Sequence, residues 1–194
     1  MARLVARFGI TRYEADEFYR MALQSYEKHN MEEAMNNINA AIETNPHRAE
    51  YYAARGFFRM QDGHPPERID PDLDDALSRN PYEALANYSK GVIAYQAEDY
   101  ITAREYFMQA WAALPERAET LYYLALIAHR LQENAQAIDW MQQALEKFNT
   151  GADDRVARRR ARQAEKWLDV FREQQDKLAQ AEHDAIALNP DRPS

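Results

Sequence analysis

Three aspartates alternate at Asp70, Asp72 and Asp74, the spacing with which a calcium-binding loop presents its first oxygen ligands. Such a loop also needs a glycine at its sixth position and a glutamate at its twelfth, and Asp75 and Pro81 stand there instead. The histidines, His29, His47, His64, His129 and His183, have no histidine three or four residues away, so no helical pair of metal ligands forms from them. Gly9, Gly56, Gly63, Gly91 and Gly151 stand apart from one another, which leaves no glycine-rich loop to cradle a phosphate. The chain has no cysteine, which removes disulfides, thiolate metal sites and a cysteine nucleophile. Carboxylates are plentiful, but they fall on amphipathic segments where they read as solvated helix faces. The expectation is a protein that is not an enzyme and holds no metal or cofactor.

Arg155, Arg158, Arg159 and Arg162 recur at helical spacing, with Arg160 beside them. A row of this kind could meet the phosphates of a nucleic acid or pair with acids of the same chain. The net charge is -8, and residues 152–194 carry 9 basic against 9 acidic residues, which leaves 15 against 23 in residues 1–151. An acidic body argues against general binding to phosphate backbones, and no aromatic residues interleave with the arginines for base stacking. Pairing with Asp153, Asp154, Glu165 and the acidic body is therefore the expectation, and an RNA-associated role the alternative. Residues 152–188 contain neither glycine nor proline, and at 1.5 Å per residue they predict a helix of about 55 Å, with Gly151 before it and Asp153 or Asp154 as its cap. Its other side carries Ala157, Ala161, Ala164, Leu168, Phe171 and Leu178, with Trp167 adjoining. That stripe predicts a helix covering the exposed end of whatever precedes it, its far half projecting. Homodimerisation through the stripe, or insertion into the chain's own groove, are the rival readings.

Mean hydropathy is -0.76, and no apolar run approaches the roughly 18 residues of a membrane span, so membrane insertion is not expected. The absence of cysteine fits a reducing compartment, and the cytoplasm is the expected location. The start, MARLVARFGITRY, places Arg3, Arg7 and Arg12 ahead of the first acid, Glu14, and faintly resembles an organelle transit peptide. It is short and lacks an apolar centre, so an N-terminal helix docking Leu4, Val5 and Phe8 is the preferred reading.

The elements that would position any site show in a recurring phrase. AIETNP, ALSRNP and AWAALP place Ala41, Ala76 and Ala110 five residues before Pro46, Pro81 and Pro115, and Ala144 continues the series. The spacings of 35, 34 and 34 residues mark stacked helical repeats. Each unit reads as a helix, a turn and a second helix: Phe18, Met21 and Ala22, then a break, then Ala34, Ile38 and Ala41 in the first. The second unit departs from this. HPPERIDPDLDDALSRNP is one residue longer and puts Pro71 where the second helix should be running. A proline inside a helix costs about 3 kcal/mol, so the expected solution is a short helix over 71–79, capped by Asp70, with Asp72, Asp74 and Asp75 near its positive end.

With this period, and with A, a large residue, A and P in the second helices, Asn149 standing where the fourth proline should be, residues 15–149 resemble the tetratricopeptide repeat family. The resemblance implies an all-α solenoid of four stacked helix-turn-helix repeats, 15–48, 49–83, 84–117 and 118–149, the second irregular. An N-terminal segment, 1–14, precedes them, and a C-terminal capping helix and tail, 150–194, follows. Ala22, Gly56, Gly91 and Ala125 would be small where the first helix approaches Ala34, Ala103 and Ala137 of the second, with Phe18, Ile38, Phe107, Leu124 and Met141 filling the interior. In this family the first helices line a concave groove that receives a segment of another protein. The matching positions are Asp16, Tyr19, Leu23 and Tyr26; Glu50, Ala53, Phe57 and Met60; Leu85, Tyr88, Val92 and Tyr95; and Glu119, Tyr122, Leu126 and His129. Where chaperone-binding members carry a clamp for a terminal carboxylate, this chain has Tyr19, Leu23, Ala54, Leu85 and Ser89. The resemblance thus implies a non-enzymatic adaptor with an apolar, tyrosine-rich groove for a protein or peptide segment. The alternative is a structural subunit whose groove is filled from within.

Overall fold

The computed structural model describes residues 10–150 and 155–188, which form nine helices and no strand. They are α1 (Ile10–Glu27), α2 (Met31–Thr44), α3 (Ala49–Gln61), α4 (Pro66–Arg79), α5 (Ala84–Gln96), α6 (Tyr100–Ala113), α7 (Ala118–Arg130), α8 (Asn134–Thr150) and α9 (Arg155–Leu188). The segment expected to dock Leu4, Val5 and Phe8 lies outside the described residues, as do the proposed caps Asp153 and Asp154. Contacts divide the chain into two compact units, Met1–Ala113 and Leu114–Ser194.

In the first unit the helices pair as hairpins, α1 with α2, α3 with α4 and α5 with α6, and α3 also packs on α2 and α5. The small residues sit where the pairs cross. A Cβ on Gly56 would lie 2.6 Å from Leu73 Cδ2, and one on Gly91 would lie 2.9 Å from the Phe107 ring. Ala22, Ala34 and Ala103 are fully buried, as are Ile38 and Phe107. Phe18 is only half-buried against this core.

One turn recurs after every first helix. His29, Gly63, Glu98 and Gln132 all adopt the left-handed conformation, with φ of 59°, 77°, 61° and 63°. The following amide then reaches back five residues: Asn30 to Ser25 at 2.9 Å, His64 to Arg59 at 3.0 Å, Asp99 to Ala94 at 3.0 Å and Glu133 to Ala128 at 2.8 Å. These bonds satisfy carbonyls that the helix end would otherwise leave open, and glycine accepts the geometry most readily. Only the second repeat uses it. At the other end of the hairpins, Asn45 and Asn80 are extended, as residues before proline must be, and their side chains accept from the amides of His47 and Tyr82.

The irregular repeat departs from expectation. Its second helix does not begin at Pro71 but at Pro66, and Pro71 lies inside it. Pro66 at the first helical position costs nothing, because its missing N–H would be unpaired there anyway. The extra turn buries Ile69, which continues the face of Leu73 and Ala76; burying it contributes about 1.5–3 kcal/mol, comparable to the cost of the internal proline. The carbonyl that Pro71 cannot serve belongs to Glu67, and both residues are exposed, so water reaches it. Arg59 donates to the next carbonyl, of Arg68, at 3.1 Å.

The aspartates consequently stand mid-helix, not at the positive end. Asp72 is buried, accepting from Arg55 at 2.6 Å and Arg59 at 2.6 Å, while Arg55 also donates to Asn39 at 3.0 Å. This ties α2, α3 and α4 together. Asp70 and Asp74, one turn apart, both hold Lys90 of α5, at 2.8 and 2.7 Å. Burial alone would lower the Lys90 pKa, but the two carboxylates outweigh it and the net shift is upward.

In the second unit α7 pairs with α8, and α9 packs on α8. The stripe on α9 is buried at Ala161, Ala164, Leu168 and Phe171 but is spent by Leu178, which is 50% exposed. Residues 175–184 are exposed throughout.

Candidate functional site

The chemistry available on the first unit is that of open rings and aliphatic chains on α1, α3 and α5. Tyr19, Leu23, Tyr26, Phe57, Met60 and Leu85 are half-buried and rest on the hydrophobic core. Helical spacing explains their grouping: Tyr19, Leu23 and Tyr26 follow steps of four and three, as do Phe57 and Met60 with Ala53 below them. Tyr26 stacks on Phe58 at 4.9 Å and meets the Phe57 edge at 5.6 Å, while Tyr19 leans on Tyr51 at 5.1 Å. These contacts fix the rings while leaving part of each surface open.

The polar frame lies at one side of Tyr19. The Tyr51 hydroxyl donates to Asp16 Oδ1 at 2.5 Å; burial first, then that bond, pushes the phenol pKa up. Tyr19 is also shifted up, by burial and by the carboxylates of Glu83 and Glu50, against the opposing charge of Arg48. Glu50 pairs with Arg48 at 3.3 Å, and Glu83 accepts from the Ala86 amide at 2.5 Å as the cap of α5. Charges of both signs, Glu50 and Glu83 with Arg48, thus stand beside Tyr19.

Several expected groove residues are not open. Tyr88 and Val92 are 7% and 6% exposed, and the Tyr88 ring meets Phe107 edge-on at 5.6 Å. Tyr95 is half-buried, 5.6 Å from Tyr100. In the second unit Tyr122 and Leu126 are buried, Tyr122 lying 6.4 Å from Phe148. His129 is covered by α9: its ring stacks on Phe171 at 4.6 Å with Trp167 at 6.0 Å. At the places of the absent carboxylate clamp, Ala54 and Ser89 are buried, and the Ser89 hydroxyl is turned back to the Leu85 carbonyl at 2.7 Å.

Of the partners expected for the arginine row, Asp153 and Asp154 lie outside the described residues. Arg155, Arg158, Arg159 and Arg162 are exposed on α9, and among the described residues none of them pairs with Glu165 or any other acid. The calcium reading of Asp70, Asp72 and Asp74 fails on geometry, since a helix replaces the loop. Among the described residues no group of three or more histidines and acids is placed to hold a metal ion, and no helix is long and apolar enough to cross a membrane.

No family model matches the sequence, and no curated protein matches it. Solved structures do. The Pseudomonas aeruginosa PilF structure aligns with a TM-score of 0.61 at 18% identity, over 94% of this chain and 95% of that one. The Cut9–Hcn1 hetero-tetramer of the APC/C gives 0.70 at 18% identity, over 92% of this chain and 34% of that chain. The TPR domain of Arabidopsis OM64 gives 0.53 at 17% identity, over 63% of this chain and 98% of that one. The fold is therefore all-α, of the tetratricopeptide-repeat class.

Proposed function

We propose that this chain is a non-enzymatic adaptor that holds an apolar segment of another protein against α1, α3 and α5. The observation that carries this is the half-open cluster of Tyr19, Leu23, Tyr26, Phe57, Met60 and Leu85. Rings braced from behind lose little entropy on binding, and tyrosine offers large apolar area with a hydrogen-bonding tip. Protein assembly also features among the fold relatives, in Cut9–Hcn1 and in Naa15/Naa10 bound to HypK-THB. With Tyr88, Val92, Tyr122 and Leu126 buried, the open anchors are those of α1 and α3 together with Leu85 at the start of α5.

The test is affinity capture from a lysate with mass spectrometry, comparing the full chain with a Leu23→Gln, Met60→Gln, Tyr19→Ala variant, followed by calorimetry on the captured partner. A few anchors usually dominate such an interface, so the variant should lose about 2 kcal/mol or more while keeping its helical circular dichroism. Binding should weaken only slightly with salt, because area rather than charge drives it. Equal affinity in a folded variant would place the interface elsewhere.

A further inference from the structure

Five cations share one outer face of α9. At 100° per residue, Arg155, Arg158, Arg159, Arg162 and Lys166 fall within one arc, on the side opposite the buried Ala161, Ala164, Leu168 and Phe171. All five are exposed, and among the described residues none of their side chains forms an ion pair or hydrogen bond. Five like charges over about 17 Å of helix repel one another, with Glu165 and Asp169 as the acids nearest them along α9. Several bases elsewhere are answered, Arg55 and Arg59 by Asp72, Lys90 by Asp70 and Asp74, and Lys177 by Glu173.

Along the edge of this face run two exposed valines, Val156 at 61% and Val170 at 45%. They are two heptads apart and so lie on one side of the helix, with Gln163 midway. A hollow of about 490 Å³ has Val156 in its wall together with Arg155, Arg159 and Arg160. Cationic and apolar surface are therefore continuous.

We infer that this face docks an acidic amphipathic segment of a partner protein, its carboxylates meeting the five cations and its apolar residues meeting Val156 and Val170. Charge selects the occupant, because the remainder of the chain is net acidic and repels an acidic segment everywhere else. The valines separate a peptide from a nucleic acid, since a phosphate backbone has nothing to bury against them. The aromatic residues of this stretch, Trp167 and Phe171, are engaged with His129 and offer no stacking platform. Asp169 falls within the same arc and Glu165 at its edge, so a partner must set its carboxylates in register with the cations and clear of these two acids. The proposal rests on other residues than the cluster on α1, α3 and α5, so either can fail without the other.

The experiment uses the full chain and a fluorescent helical peptide of about 20 residues, rich in glutamate with leucine every seventh position, a length that spans about 30 Å. Controls are poly-glutamate and poly-uridine RNA of the same length. The peptide should bind, and raising salt from about 50 to 500 mM should weaken it strongly. Four exposed contacts multiply, so Arg155→Gln, Arg159→Gln, Arg162→Gln and Lys166→Gln together should cost about tenfold or more in affinity. Val156→Ser with Val170→Ser leaves the charge unchanged and should cost about threefold or more through lost apolar contact. Circular dichroism verifies the helix in both variants. No binding by the peptide, equal binding by poly-glutamate, tighter binding by the RNA, or indifference to the valine change would each overturn the proposal. So would a concentration-dependent dimer that the arginine changes abolish, since the face would then belong to a second copy.

Discussion

Gly91→Ala tests whether the close approach of α5 and α6 decides the residue at their crossing. Two effects oppose each other. Alanine is the better helix former by about 1 kcal/mol, so an isolated helix would gain. In the folded protein the new methyl would stand 2.9 Å from Cδ2 and Cε2 of Phe107 and 3.0 Å from its Cγ, where carbon atoms rest at about 3.5–4.0 Å. The ring would have to retreat by about 0.6–1 Å. It is fully buried and meets the Tyr88 ring at 5.6 Å, so it has no open side to move into. Overpacking of this kind costs about 1–3 kcal/mol, which exceeds the propensity gain and leaves a net loss of about 1 kcal/mol. Urea denaturation followed by circular dichroism measures it. Phe107→Leu in the same chain should relieve the clash, so the double variant should be more stable than the sum of the single losses by about 1 kcal/mol. A Gly91→Ala protein more stable than the parent, with additive behaviour in the cycle, would refute the argument.

The recurring left-handed turn predicts opposite outcomes at two equivalent positions. Gly63→Ala should destabilise by about 1 kcal/mol from backbone strain alone, since a Cβ there meets nothing within 4 Å, whereas Gln132→Gly should be neutral or stabilising by about 0.5 kcal/mol; thermal melts of both decide it. For pH, burial and the neighbouring Arg130 lower the His129 pKa against the pull of Asn134, so the unfolded chain takes up this proton first. The stability it contributes is present above about 6.5 and falls as pH drops from there through the lower folded value. The melting temperature should thus fall between about pH 7.5 and 5, and His129→Phe, which keeps the ring packed under Phe171, should reduce that fall; an unchanged pH dependence in this variant would exclude His129 as its source.

Periodicity in the sequence was enough to determine the repeat. Ala41, Ala76, Ala110 and Ala144 recur because neighbouring helices cross at the same place in each unit, and any larger side chain would part them. The prolines after Asn45 and Asn80 recur because they force an extended residue that ends the helix. These constraints act over a few residues and leave a local trace. The left-handed turns at His29, Glu98 and Gln132 leave none, because the bonds that reward them depend on the helix end they complete. Pro71 misled for the same reason: its local cost is visible in the sequence, but the burial of Ile69 and the hold of Arg55 and Arg59 on Asp72 come from other helices. Tertiary packing alone also decided which groove positions stay open. Tyr88 and Tyr19 occupy equivalent places in their repeats, yet the Phe107 ring covers one while the other keeps a free surface. Likewise, nothing in the spacing of the α9 arginines distinguishes a paired row from an unpaired one. That depends on which acids lie within reach, and reach is a property of the folded chain.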